Sequence, residues 1–199
     1  MVKKKENNKS LYIDVTNEWL AEATPNSYDI LIDKEFIDDK NVRHPIKGIE
    51  KVHPASKNSD EYMIATILKE TLGGEIHMVP RITNMANSHL GVKTPDYIWN
   101  NEKWDLKTPI FKNNYNNLMN DLFKKKYLKL QSEKFIIDLV NYSNISEEEI
   151  SHISIRMFRN KYRHWIKGLI IIKNSKINKV FIKKEPSSSD NIGCSARSS

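Results

Sequence analysis

The chain has 199 residues, of which 39% are hydrophobic and 29% charged, and its formal net charge at pH 7 is +7. This length fits one ordinary domain, and the basic charge favours polyanionic partners, nucleic acid first. The single cysteine excludes a disulfide framework and a zinc site built on cysteines. No apolar run approaches the roughly 20 residues of a membrane span. No apolar segment follows the basic start, so a Sec-type signal peptide is not predicted.

The N-terminal quarter of the sequence predicts a disordered start followed by short strands. Residues 1–10 are Lys, Asn and Ser with few apolar side chains, which indicates disorder. Residues 11–50 predict a small strand-rich region, with strands over 11–15 and 28–32 and a turn at 38–41. Between the two strands, Thr16 is expected to cap a brief helix. This region carries no functional prediction.

A helix and a hairpin follow. The helix is predicted from Ser56 to Leu72 and ends at Gly73-Gly74. Its apolar residues recur at helical spacing: Met63, Ile64, Ile67, Leu68 and Leu72. A strand at 76–80 leads to two further strands that alternate in polarity around Asn100-Asn101, and the Trp99 and Trp104 side chains are expected to pack this hairpin.

The remainder of the chain predicts a helix at 113–127 and a strand at 135–140 that is apolar enough to be covered on both faces. Ser146 and Glu149 have the spacing of a capping box, which opens a third helix that extends to about residue 159. Strands at 169–172 and 177–182 form a terminal hairpin around Asn174-Ser175. A domain over 51–184 and a flexible tail over 185–199 are therefore expected.

The hairpin at 91–109 brings charged residues to one end of an apolar ribbon. Asp96 begins one strand, while Asp105 and Lys107 lie two residues apart near the end of the other and so share a face. Two carboxylates can hold a divalent ion beside a phosphodiester, and a lysine can orient the attacking water or screen the phosphate charge. The alternative interpretation is a surface ion pair, which contributes about 0–1 kcal/mol.

Glu61 is the candidate third carboxylate. Helical spacing aligns it with Ile64, Ala65 and Leu68, and therefore with the buried side of the helix. A structural role is the alternative, because Asn58 as N-cap with Glu61 three residues later forms a capping-box-like start.

These motifs resemble the PD-(D/E)XK nuclease superfamily. Pro95-Asp96 followed by Asp105-Leu106-Lys107 matches its signature, and the order helix, three strands, helix, strand matches its core. The wider pattern, with Glu61 and Ala65 on a helix ahead of TPDY and WDLK, is similar to the C-terminal nuclease toxin domains of contact-dependent inhibition proteins and to domains of some phage minor head proteins. It covers roughly residues 50–184. The fold that it implies is α/β (α+β): a restriction-endonuclease-like core with a mixed central sheet flanked by helices, plus the terminal hairpin.

The resemblance implies a metal-dependent endonuclease with Glu61, Asp96, Asp105 and Lys107 as catalytic residues. The three carboxylates would hold Mg²⁺ or Mn²⁺, with Zn²⁺ as a further option. It also places polar site residues at Gln131 and Asp138, although Asp138 equally suits a strand-end residue with a backbone partner. RNA, and tRNA above all, is the expected substrate. A DNase of the same fold and an inactive nucleic-acid-binding module of a phage or mobile element are the alternatives.

A toxin of this kind implies an acidic immunity protein as partner and action in the bacterial cytoplasm, after delivery within a larger secreted or phage protein. Two basic segments interleaved with aromatics, at 124–129 and 156–167, suit either contact with a phosphate backbone or a solvated face. His77 is expected to be structural.

Overall fold

The computed structural model describes residues 12–25, 29–45, 59–80, 94–110, 132–142, 144–152 and 165–184. The elements within these ranges follow one another along the chain as β1 (Tyr12–Asp14), α1 (Thr16–Ala21), β2 (Ile30–Ile32), β3 (Glu35–Ile37), β4 (Arg43–Pro45), α2 (Asp60–Thr71), β5 (Ile76–Met78), β6 (Tyr97–Trp99), β7 (Glu102–Lys107), β8 (Lys134–Asp138), α3 (147–152), β9 (Gly168–Lys173) and β10 (Lys176–Lys183). The predicted 113–127 helix and the predicted disordered ends lie outside the described residues.

Eight of these strands form one mixed sheet in the order β1-β10-β9-β8-β7-β6-β5-β2. The three central strands β7, β8 and β9 run parallel, whereas β5, β6 and β7 are joined antiparallel, as are β9, β10 and β1. Strand β2 pairs parallel with β5. The predicted mixed sheet and the terminal hairpin are confirmed, as are the predicted helices where they are described, at α2 and α3. The restriction-endonuclease core stays a prediction.

Two apolar layers cover the sheet. One layer contains α2, through Ile64, Ala65 and Leu68, and we call the side that it covers the α2 face. The other contains Ile150 of α3, and its side is the α3 face. The buried strand β8 contributes to both, since Ile136 packs in the first layer while Phe135 and Ile137 pack in the second. The predicted coverage of this strand on both faces is therefore confirmed.

The N-terminal region joins the same sheet at both of its edges. Strand β1 pairs with β10, and β2 pairs with β5. A second, two-stranded sheet of β3 and β4 contacts β7, because its Phe36, 4% exposed, lies beneath the Lys103 ammonium, 5.5 Å from the ring centroid. The predicted strand-rich character of residues 11–50 holds for the residues described there.

Two hairpin turns follow the predicted chemistry. Asn100 and Asn101 have φ of 50° and 62°, and Asn174 and Ser175 have φ of 51° and 58°. Two consecutive residues in the left-handed region give the twist that a two-residue hairpin needs. The capping box is confirmed as well, because Ser146 Oγ accepts from the Glu149 amide at 3.1 Å and Glu149 Oε2 accepts from the Ser146 amide at 2.9 Å.

Three predictions about the helices were wrong. The N-cap of α2 is Ser59, whose hydroxyl accepts from the Tyr62 amide at 3.2 Å, so Asn58 cannot cap it. Met63 is 53% exposed, because a turn of 100° per residue carries it off the buried stripe of Ile64 and Leu68. Thr16 does not cap α1: Val15 is the N-cap, and the Thr16 hydroxyl instead accepts from the Val180 amide of β10.

The predicted end of α2 at Gly73 is confirmed, with a packing reason that the sequence does not reveal. Gly73 has φ of +73°, and its amide donates to the carbonyls of Leu68 and Lys69. A Cβ on this residue would lie 2.0 Å from the Thr24 carbonyl oxygen. Glycine is therefore required both by the backbone conformation and by the close approach of a neighbouring segment.

Candidate active site

Strand register places Asp105 and Lys107 together on the α3 face. Asp105 pairs with Phe135 and Lys107 with Ile137 across the parallel β7–β8 ladder, and both partners belong to the α3-face layer. Directly paired residues share a face of the sheet. Asp105 and Lys107 therefore lie at the carboxyl end of β7, on the side opposite α2.

Asp96 is placed opposite Asp105. Tyr97 pairs with Trp104 across β6 and β7, and one further step of this antiparallel register brings Asp96 against Asp105. The Asp96 carboxylate accepts from the Leu106 amide at 2.7 Å, and the Asp96 carbonyl accepts from the Val79 amide at 3.0 Å. Asp96 is thus fixed to the strands on both sides of it, as the predicted hairpin requires.

The Asp105 carboxylate of the Asp105–Lys107 pair is buried, whereas the Lys107 side chain is 20% exposed. Asp105 is 1% exposed, its Oδ2 contacts the Lys107 ammonium, and no hydrogen bond to this oxygen is present in the described part of the chain. The alternative of a surface ion pair is therefore wrong. Burial of the Asp105 carboxylate carries a desolvation cost that the fold does not need, so its presence beside Lys107 points to a functional demand.

Glu61 occupies the second residue of α2, on the other face of the sheet, and is partly exposed. The buried Tyr97 hydroxyl donates to the Glu61 carbonyl oxygen at 2.8 Å. This bond joins the first turn of α2 to the residue that follows Asp96. The start of α2 is therefore held to β6 beside the charged end of the hairpin, although the helix body packs on the opposite face.

The donor chemistry at Asp105 suits a hard divalent cation. Mg²⁺ and Mn²⁺ prefer carboxylate oxygens, and the Asp105 Oδ2 already contacts a cationic group. Within the described ranges, no three His, Cys, Asp or Glu side chains converge closely enough to hold a metal ion. The predicted ligand set of Asp96, Asp105 and Glu61 therefore stays a prediction, with Asp96 and Asp105 as its adjacent members.

Asp138 is the last residue of β8 and lies at the same end of the parallel strands as Asp105 and Lys107 of β7. Its carboxylate accepts from the Val140 amide at 3.1 Å, which confirms the alternative of a strand-end residue with a backbone partner. Burial raises the pKa of Asp138, the Val140 hydrogen bond opposes this, and the negative charge of Asp60 adds to the rise. Asp60 is the first residue of α2, so the start of this helix lies near the ends of both β6 and β8. Gln131 lies outside the described residues.

The other candidate features are structural where they are described. The His77 ring contacts Asp33 at 2.9 Å and Glu75 at 2.6 Å, and it thereby ties β5 to the end of β2. Trp99 and Trp104 pack with ring centroids 5.5 Å apart, as predicted. Of the two basic segments, Lys167 is described and pairs with Glu133 at 2.8 Å, whereas most of the remainder lies outside the described ranges.

Two residues near the site are not among the predicted site residues. Tyr97, for which no role was predicted from the sequence, anchors the helix that carries Glu61. Asp60 interacts electrostatically with Asp138. The available signals were the position of Tyr97 directly after Asp96, and of Asp60 directly before Glu61.

Comparison with known families bears on this segment. Residues 93–177 match the model of the contact-dependent growth inhibition CdiA C-terminal domain. The match begins just before Asp96 and includes Asp105, Lys107 and Asp138, together with strands β6 to β9. The comparisons with curated proteins and with solved structures gave no match. None of the described helices is long and apolar enough to cross a membrane.

Proposed function

We propose that this chain is a metal-dependent nuclease that hydrolyses phosphodiester bonds in RNA, with tRNA as the favoured substrate, and that it acts as a toxin domain of the contact-dependent inhibition type. The observation that carries the proposal is the buried Asp105–Lys107 pair at the end of β7, opposite Asp96, in the segment that matches the CdiA C-terminal domain. The net charge of +7 is consistent with a polyanionic substrate.

The roles follow from residue chemistry and placement. Asp96 and Asp105, with Glu61, would hold Mg²⁺ or Mn²⁺ through carboxylate oxygens. When bound, a divalent ion supplies positive charge to the phosphate and lowers the pKa of water. Asp96 is kept in place by the Leu106 amide. A cation held by Asp105 would share this carboxylate with the Lys107 ammonium.

Lys107 would act on the substrate while Asp105 holds the cation. In the structure its ammonium balances the buried carboxylate. The Lys107 ammonium can hold the attacking water by a hydrogen bond or screen the charge that grows on the phosphoryl oxygens. In its neutral form, the amine of Lys107 can accept a proton from that water. Because Lys107 follows Asp105 by two residues on one strand face, both groups act on the same side of the phosphate.

Delivery and protection complete the proposal. A CdiA-type domain is carried within a larger secreted protein into the target bacterium, and this chain would act in the cytoplasm of that cell. An immunity protein would protect the producer. Because the chain is basic, an acidic immunity protein would associate with it rapidly through electrostatic steering.

The test is cleavage of total tRNA and of plasmid DNA by the purified protein with Mg²⁺ or Mn²⁺. We expect tRNA to be cut, and Asp105→Ala and Lys107→Ala to lower the rate by roughly 10²–10³ or more. Lys179→Ala, which removes the ion-pair partner of the 40% exposed Asp14 side chain, is the matched control and should cut at the wild-type rate. Circular dichroism verifies the fold of each variant.

The outcomes separate the alternatives. Plasmid cleavage with intact tRNA would make the protein a DNase. Binding of nucleic acid without cleavage would make it a binding module, and cleavage at the wild-type rate by Asp105→Ala would disprove the site. In cells, expression of the wild type should stop growth and expression of Asp105→Ala should not.

A further inference from the structure

We propose that Tyr97 is a positioning residue, whose hydroxyl sets the location of Glu61 relative to the Asp96–Asp105 pair. The inference rests on the proposed nuclease function and assigns a part in it to a side chain that does not touch the substrate. It starts from the hydrogen bond between the Tyr97 hydroxyl and the Glu61 carbonyl, 2.8 Å long, which joins β6 to the first turn of α2.

Asp96 and Tyr97 together connect three elements at the charged end of the sheet. The Asp96 carbonyl accepts from Val79 beyond β5, and its carboxylate accepts from Leu106 in β7. The next residue, Tyr97, lies on the α2 face and reaches the first turn of α2. Two consecutive residues therefore fix the strand that carries one carboxylate to the helix that carries another.

The Tyr97–Glu61 bond matters because Glu61 and the other site residues lie on opposite faces of the sheet. Glu61 is on the helix of the α2 face, while Asp105 and Lys107 lie on the α3 face. Glu61 can join the other groups only around the end of the sheet, so the position of α2 along its axis decides whether its carboxylate reaches them. The apolar contacts of Ile64, Ala65 and Leu68 hold the body of α2. Directed hydrogen bonds hold its two ends: the Trp99 indole N–H donates to the Gly73 carbonyl just past the helix, and the Tyr97 hydroxyl fixes the first turn.

The burial of Tyr97 gives the anchor its rigidity. The ring is fully buried in the α2-face layer, among the side chains that α2 packs against. A hydroxyl on a ring with no room to move is a fixed point for its acceptor. Phenylalanine would keep the ring and its packing and remove only this oxygen.

The chain contains a matched control. Tyr12 is also buried, and its hydroxyl also donates to a main-chain carbonyl, that of Ile166, at 2.8 Å. This bond lies in the α3-face layer and involves β1, an edge strand far from β6 in the sheet order. Tyr97→Phe and Tyr12→Phe therefore delete the same interaction at two places, one beside the candidate site and one remote from it.

The first measurement compares these variants with the wild type. We expect similar decreases in melting temperature for both. Tyr97→Phe should lower kcat for tRNA cleavage by about tenfold or more with little change in KM, and should weaken Mn²⁺ binding in the absence of RNA severalfold. Tyr12→Phe should stay within about twofold of the wild type in all three quantities.

The second measurement asks whether Tyr97 acts through Glu61. In a Glu61→Ala background, Tyr97→Phe should cause no further decrease in kcat, because the group that it positions is gone. A purely structural role would give the same decrease in both backgrounds. Equal kcat for Tyr97→Phe and Tyr12→Phe, or additivity with Glu61→Ala, would overturn the proposal. Failure of the wild type to cleave any nucleic acid would instead overturn the nuclease function itself.

Discussion

The hairpins β6–β7 and β9–β10 are built alike and differ in what they carry. Each turns through two residues of positive φ, and each has one strand paired with the central strand β8: β7 on one side and β9 on the other. In β9, residues 169–172 are a continuous buried run of Leu and Ile. In β7, a buried aspartate and its lysine partner interrupt the corresponding apolar pattern.

The difference shows which part of a hairpin is structural. Turn chemistry and strand-forming residues suffice to form the ribbon, and β9 shows that a strand with a continuous apolar run fits this sheet. Asp105 and Lys107 add a desolvation cost that the fold does not require. The same sheet thus supports one hairpin that only stabilises it and one that carries charge into it.

The largest expected effect on stability comes from removing one ion-paired lysine of a hairpin, Lys107 in β7 compared with Lys179 in β10. Lys107→Met leaves Asp105 buried and unbalanced, and we expect it to lower the free energy of unfolding by about 3–5 kcal/mol. Lys179→Met should lower it by less than about 1 kcal/mol, since its partner Asp14 is solvent-accessible. Urea denaturation at pH 7 measures both. Adding Asp105→Asn to Lys107→Met should recover much of the loss, and equal losses in the two hairpins would contradict the comparison.

An intermediate effect is expected at Asp138, between the two hairpins. Because its pKa is raised above the ordinary value of 3.8, chiefly by burial, its charged form disfavours the folded state. The sign follows: the favourable contribution is complete below pH 3.8 and is lost as the pH rises through the folded-state pKa. Asp138→Asn keeps an acceptor for the Val140 amide and carries no charge.

We therefore expect Asp138→Asn to melt at a higher temperature than the wild type at pH 7, with the gain vanishing below pH 3.8. Calorimetry across this range measures it. A gain in melting temperature of the same size at every pH would show that the charge of Asp138 is not its cause. The comparison of charged and apolar strands would then apply to β6–β7 and not to β8.

The smallest expected effect lies in the turns. Ser175 at φ 58° is strained, whereas Asn101 at φ 62° is a residue type that tolerates this region. Ser175→Gly should raise the free energy of unfolding by about 0.5 kcal/mol, and Asn101→Gly should leave it nearly unchanged. Thermal melts of the two variants provide the measurement. A larger gain at Asn101 would mean that its turn, beside the candidate site, stores the greater strain.

Local signals in the sequence predicted the elements near the candidate site well. The Asn100-Asn101 turn, the Ser146–Glu149 capping box and the buried strand around Ile136 each depend on a few neighbouring residues. The two-residue turn at Asn100-Asn101 also predicted that Asp96 lies beside Asp105, because the length of a turn fixes the register of its hairpin.

The errors arose where competing partners were distant or equivalent. Thr16 has the chemistry of a cap, but its hydroxyl is used by β10, 164 residues later in the chain. Ser59 and Asn58 are both good N-caps, and the spacing of one residue between them cannot be resolved from propensity. The face on which Glu61 lies relative to Asp105 depends on how α2 crosses the sheet, which no local pattern encodes.

The edge strands have a consequence for how the protein folds. The sheet is closed on one side by β1 paired with β10, the first and last of the strands in the described ranges. Contacts of such high sequence separation slow folding, because a long loop must close before they form. During synthesis β1 must wait for β10, whose Val180 follows Thr16 by 164 residues. The enzyme proposed here would consequently acquire its complete sheet only after β10 has left the ribosome, or after re-entering a folding environment in the target cell.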